Sequence, residues 1–145
     1  MGISVQLRRI AEDDRDWVLD LCRRKYGTDY DYISTEGWFR EQVLKNPLRF
    51  LPIRTDGAFL VAMLSCSPWT PALFEAEVIL ICADDGRMWD ALHLLRYSIE
   101  WARQRKCSVW RIGVGWDFPA GELGPLAKRV GAKEIKPMYM VDLRS

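Results

Sequence analysis

The chain has 145 residues, 49% of them hydrophobic and 28% charged, with a formal net charge of +1. That composition fits one folded α/β domain spanning residues 1–145, and it excludes a disordered chain, a membrane-spanning one and a polyanion binder drawn in by overall charge. Four cysteines (Cys22, Cys66, Cys82, Cys107) without a CxxC pair, and no signal peptide, point to a reducing cytoplasm, while a single histidine, His93, excludes a His-rich metal site.

In chain order, Ser4 to Ile10 alternates Val5, Leu7 and Ile10 as a first strand. The acids of Ala11-Glu12-Asp13-Asp14 start a helix, where they complement the positive end of its dipole. Trp17, Val18, Leu21 and Cys22 recur at helical spacing until Gly27 ends the element. Ser34 or Thr35 caps a second helix carrying Trp38, Phe39, Val43 and Leu44, closed by Asn46-Pro47. Phe50–Arg54 and Ala58–Cys66, joined by Thr55-Asp56-Gly57, form a hairpin.

After Ser67-Pro68-Trp69-Thr70-Pro71 the chain enters a strand from Phe74 to Ala83. Its run Val78-Ile79-Leu80-Ile81-Cys82-Ala83 is continuously apolar, as in a central strand covered on both faces. A helix from about Arg87 to Lys106 carries an apolar stripe of Met88, Leu92, Leu95, Ile99 and Ala102. Ser108 to Val114 is the next strand. The long helix between two apolar strands predicts that they are parallel neighbours or nearly so. Asp117 to Gly121 leads into a short helix ending at Val130 and capped by Gly131, and Lys133 to Leu143 is a last strand. The order is β-α-α-β-β-β-α-β-α-β.

Charge is uneven: residues 1–85 hold 10 basic and 14 acidic side chains, and residues 86–145 hold 11 and 6. No run of like charge is long, so this reads as solvated helix faces, and neither nucleic acid nor membrane is expected as a partner.

This order, with Ala76 to Ala83, the helix segment Leu94 to Lys106 and Val130-Gly131-Ala132-Lys133-Glu134, resembles the GNAT acyl-CoA N-acyltransferases. The resemblance implies a mixed, mostly antiparallel central sheet of six to seven strands with about four helices on both faces. It implies acetyl-CoA or another acyl-CoA as cofactor and no metal. The pantetheine arm would lie against Ile81, Cys82 and Ala83, and the pyrophosphate against the turn Arg87, Met88, Trp89, Asp90 and Ala91. In the family this turn follows the pattern Q/R-x-x-G-x-G/A; here Gly86 stands at the Gln/Arg position, Trp89 at the first glycine and Ala91 at the last. The family's asparagine and proton-donating tyrosine fall on Ala120 and Ala127, neither of which can donate from its side chain.

Glu77, then Glu75 on the same strand face, are the candidate bases for deprotonating an acceptor amine. Asp29, Asp31 and Glu36 lie where the family forms its acceptor pocket and could attract a cationic amine. His93 reads as a partly buried helix residue rather than a catalytic one.

Two functions follow: an acyl-CoA-dependent N-acyltransferase of divergent motif, acting on a small-molecule or protein amine, or a non-catalytic GNAT-fold binding or structural module in a larger assembly such as a phage particle. For the second, Trp69, Trp89, Trp116 and Phe118 are the expected protein-binding surface. The cytoplasm, or a host cytoplasm or virion, is the expected location.

Overall fold

The structure, a computed structural model, describes residues 6–26, 41, 43–66, 74–112 and 120–133. Strands β1 (Arg8–Arg9), β2 (Phe50–Arg54), β3 (Ala58–Cys66), β4 (Phe74–Ala83) and β5 (Val109–Ile112) form one sheet in that order. The pairs from β1 to β4 are antiparallel, and β4 pairs β5 in parallel, as the long crossover predicts. Helix α1 (Arg15–Tyr26) follows β1, α2 (Met88–Gln104) connects β4 to β5, and α3 (Ala120–Arg129) follows β5.

This is the expected mixed, mostly antiparallel α/β architecture. The described residues hold five strands and three helices, fewer than expected. The second helix from Ser34 and the final strand to Leu143 lie largely outside the described residues.

Among the described residues the first strand spans only Arg8 and Arg9, and its end before Ile10 has a local reason. Ile10 N–H donates to the Pro52 carbonyl at 3.0 Å, but Pro52 has no N–H to return. The edge ladder therefore keeps only Arg8 opposite Arg54 and Arg9 opposite Ile53.

Strand alternation divides the core into two layers. Leu51, Ile53, Ala58, Leu60, Ala62, Ala76 and Val78 face α2 and Leu126 of α3. Phe50, Phe59 and Val61 face Val18, Leu21 and Cys22 of α1, together with Ile10 and Val43. The apolar run of β4 is thus covered on both faces, as its composition predicts. Met88, expected in the stripe of α2, is instead exposed. Asp90, Ala91, Leu92, Leu94, Leu95, Ser98, Trp101 and Ala102 are on the buried face, and Met88 lies off it in the first turn.

β4 carries one irregularity that matters for function. Val61 pairs with Leu80 but Ala62 pairs with Val78, so Ile79 is an extra residue bulged out of register. The bulge reverses the alternation: Ala76 and Val78 face α2, and strict alternation would send Leu80 there too. Leu80 and Cys82 instead join the α1 layer while Ile81 joins the α2 layer.

On the α1 side, Asp14 ties the chain's beginning to the hairpin. Its carboxylate accepts from Arg8 at 2.7 Å through two nitrogens, from Arg54 at 2.9 Å and from the Ala11 N–H at 2.8 Å. Arg54 also lies 3.4 Å over the Trp17 ring. The Arg8 hydrogen bonds outweigh burial and hold the Asp14 carboxyl down at about 2. Because that value is below the ordinary one, the stabilisation is complete above pH ~4 and lost as pH falls toward 2, at about 2 kcal/mol. Urea unfolding of Asp14→Asn should show a deficit of that size at neutral pH, narrowing as the pH is lowered through this window.

Candidate functional site

The site is built where β4 ends and α2 begins. Gly86 has φ 75°, a left-handed conformation that turns the strand into the helix. A Gln or Arg at this position would strain the backbone, so the departure from the Q/R-x-x-G-x-G/A pattern has a conformational cause. Arg87 is the N-cap of α2 and offers no side-chain cap. The first-turn N–H groups of Met88 and Trp89 have no intrahelical acceptor, by helix geometry.

Asp90, in the same turn, points to the other side and is only 5% exposed. Its carboxylate accepts from the Thr55 hydroxyl at 2.6 Å and from the Arg87 guanidinium at 2.7 Å. Thr55 is buried, and its hydroxyl oxygen also accepts the N–H groups of Gly57 and Ala58 at 3.2 and 3.1 Å. Burial alone would raise the Asp90 carboxyl, but Arg87 and Thr55, together with the Gly57 N–H, leave it below the ordinary carboxylate range. Gly57 permits a further contact: a Cβ there would come within 2.6 Å of the Arg87 side chain. The β2–β3 turn and the start of α2 therefore interlock through Thr55, Gly57, Arg87 and Asp90.

The acids before the helix are also matched. Asp84 pairs with Arg24 at 3.1 Å, and Asp85 pairs with Lys25, both cations coming from the last turn of α1. The negative charge of Asp84 and Asp85 is thus partly neutralised, but by cations that are no longer free for a ligand. Arg87, the candidate phosphate cation, is bonded to Asp90. Trp89 is 67% exposed, so its side chain does not fill the space between β4 and β5. The Arg129 guanidinium of α3 lies 5.4 Å from its ring centroid.

Along β4, among the described residues, pairing to β5 spans Glu75–Val78 against Val109–Ile112. β4 then runs on to Ala83, where Ile81 and Cys82 are buried and Ala83 half-buried. Glu75 and Glu77 are half-buried and share the face toward α1, as alternation predicts. Their roles separate sharply. Glu75 pairs with Arg111 of β5, whereas Glu77, directly opposite Met63 and Arg111, has no side-chain hydrogen bond or ion pair among the described residues.

Of the remaining candidates, His93 is exposed rather than partly buried, because it sits on the solvent side of α2. Ala127 is half-buried in α3, and Ala120 begins that helix. Asp29, Asp31, Glu36, Trp69, Trp116 and Phe118 lie outside the described residues. Among the described residues no group of three His, Cys, Asp or Glu side chains could hold a metal, and no helix is long and apolar enough to cross a membrane.

The backbone fits an acyl-CoA better than the side chains do. The helix N-terminus offers uncapped N–H donors, while the motif's close glycine approach is replaced by Trp89, and Arg24, Lys25 and Arg87 are already paired.

Searches by sequence find no matching family model and no matching curated protein. Solved structures do match. An aminoglycoside 6′-N-acetyltransferase from Acinetobacter haemolyticus superposes with TM-score 0.72 at 17% identity, over 97% of this chain and 99% of that one. An acetyltransferase of Trypanosoma brucei gives TM-score 0.75 at 11% identity, over 97% and 100%. A ribosomal-protein-alanine N-acetyltransferase from Brucella melitensis gives 0.71 at 14%, over 97% and 99%. The chain therefore has the GNAT fold, as the order of its elements implies.

The interlock is open to a direct test. Thr55→Val keeps the side-chain shape but removes a donor to a buried carboxylate, at a cost of about 2 kcal/mol. Thermal unfolding should show that loss, and Thr55→Ser should recover most of it.

Proposed function

We propose that this chain is an acyl-CoA-dependent N-acyltransferase of divergent motif, with Glu77 as the base that takes the proton of an acceptor amine. The observation that carries this reading is the state of Glu77. It is half-buried on the central strand two residues before the bulge, on the α1 face, and without a side-chain partner among the described residues, while its neighbour Glu75 holds the adjacent Arg111. A carboxylate kept unpaired beside a cation is available for proton transfer.

Bound acyl-CoA supplies an activated thioester carbonyl. Ile81, Cys82 and Ala83 hold the pantetheine arm, and the turn from Arg87 to Ala91 receives the pyrophosphate on the N–H groups of Met88 and Trp89. The acceptor amine approaches from the α1 side, forms the new C–N bond as the C–S bond breaks, and gives its proton to Glu77 directly or through water. The leaving thiolate takes its proton from solvent, since Ala127 offers none. Asp29, Asp31 and Glu36 are the proposed attraction for a cationic amine, and positioning of the two reactants provides most of the rate.

The second reading, a non-catalytic GNAT-fold binding or structural module, draws on one observation: Trp89, at the motif's glycine position, is held at the surface.

Calorimetry with acetyl-CoA separates the two, and absence of heat at millimolar ligand rejects acyl transfer. In a panel of amine acceptors, Glu77→Gln should lower kcat by about two orders of magnitude while leaving acetyl-CoA affinity unchanged. Acceptor turnover that survives Glu77→Gln unaltered rejects the role given to that residue.

A further inference from the structure

We infer that Trp89 and Arg129 form a stacking platform for a phosphorylated adenosine, the nucleotide end of acyl-CoA, in place of the glycine turn that this chain lacks. The inference rests on the acyl-CoA reading for the identity of the ligand, though not for the existence of the platform. Trp89 lies in the first turn of α2 and is 67% exposed, and the neighbouring Met88 is exposed as well. The Arg129 guanidinium, from the last turn of α3, lies over the indole at 5.4 Å, with Lys128 beside it in sequence and also exposed. Two helices thus bring an exposed indole and a guanidinium to one place, with the exposed Lys128 next in sequence.

The local charges complete the case. Asp90 points away into its bonds with Thr55 and Arg87, and Asp84 and Asp85 are paired with Arg24 and Lys25. Neither Lys128 nor Arg129 has a carboxylate partner among the described residues. What remains is an exposed indole with Arg129 against it, the positive end of a helix, and two cations without a carboxylate partner among the described residues. A purine bearing phosphates has the complementary features: a π-face to stack on the indole and negative charge for the guanidinium and ammonium groups. A simple anion would leave the indole unused.

The test is calorimetric, on the full chain, with three probes: coenzyme A, its adenosine bisphosphate half, and phosphopantetheine. Trp89→Ala should weaken coenzyme A and the adenosine bisphosphate by about tenfold, the scale of one base–aromatic stack. Phosphopantetheine should bind unchanged, and Trp89→Phe should keep most of the affinity. Arg129→Gln should weaken the two nucleotides and make their binding less sensitive to salt. Because Trp89 is exposed, the variants are expected to fold, which circular dichroism checks. Coenzyme A binding that Trp89→Ala leaves intact overturns the platform. So does a wild-type chain that binds phosphopantetheine but neither nucleotide, an outcome under which acyl transfer still stands. A chain that binds the adenosine bisphosphate through Trp89 but not coenzyme A keeps the platform and rejects the acyl-CoA reading. One that binds none of the three overturns both.

Discussion

The buried bond between Asp90 and Thr55 fixes the geometry of everything around it. A carboxylate that is 5% exposed is costly unless it is fully bonded, so the β2–β3 turn and the first turn of α2 have to stay together. That constraint sets where α2 starts, and with it where Trp89 stands and where the uncapped N–H groups point. It also takes Arg87 out of circulation. The same residues that make the turn rigid thereby reduce what it can offer an anion.

The bulge at Ile79 is the second determinant. Without it Leu80 would face α2, and the end of β4 would present the wrong side chains to both layers. With it, Glu77 and the lower part of the strand keep the α1 face, and the layer packing resumes correctly beyond the irregularity. A local change of one residue in register lets one strand carry a polar face at one end and a doubly buried apolar run at the other.

Much of this fold was legible in the sequence because it is carried by periodicity. The hairpin, the central strand, the long helix and the parallel β4–β5 pair all rest on patterns within a few residues or on a single crossover. What escaped the reading has no such pattern. A continuous apolar run such as Val78 to Ala83 has no visible parity, so nothing in it marks Ile79 as extra. Thr55 and Asp90 are far apart in the chain, and each alone looks like an ordinary turn or helix-start residue. Gly86 reads as a lost motif residue until its φ shows a turn requirement. In the candidate site, alternation correctly placed Glu75 and Glu77 on one face, but only the three-dimensional neighbour Arg111 distinguishes them.

Cys22 and Cys82 give the α1 layer a property of its own. Both thiols are buried between α1 and β4; Cys82 donates to the Leu21 carbonyl at 3.7 Å, and its contact with Cys22, reinforced by burial, pushes the Cys22 thiol well up. A thiol in that state is a poor nucleophile, and burial shields Cys82 from reagents while the helix is seated. The native chain thus contains an internal clock: the rate at which a thiol reagent gains entry measures how often α1 lifts from the sheet, independently of the α2 and α3 layer on the opposite face.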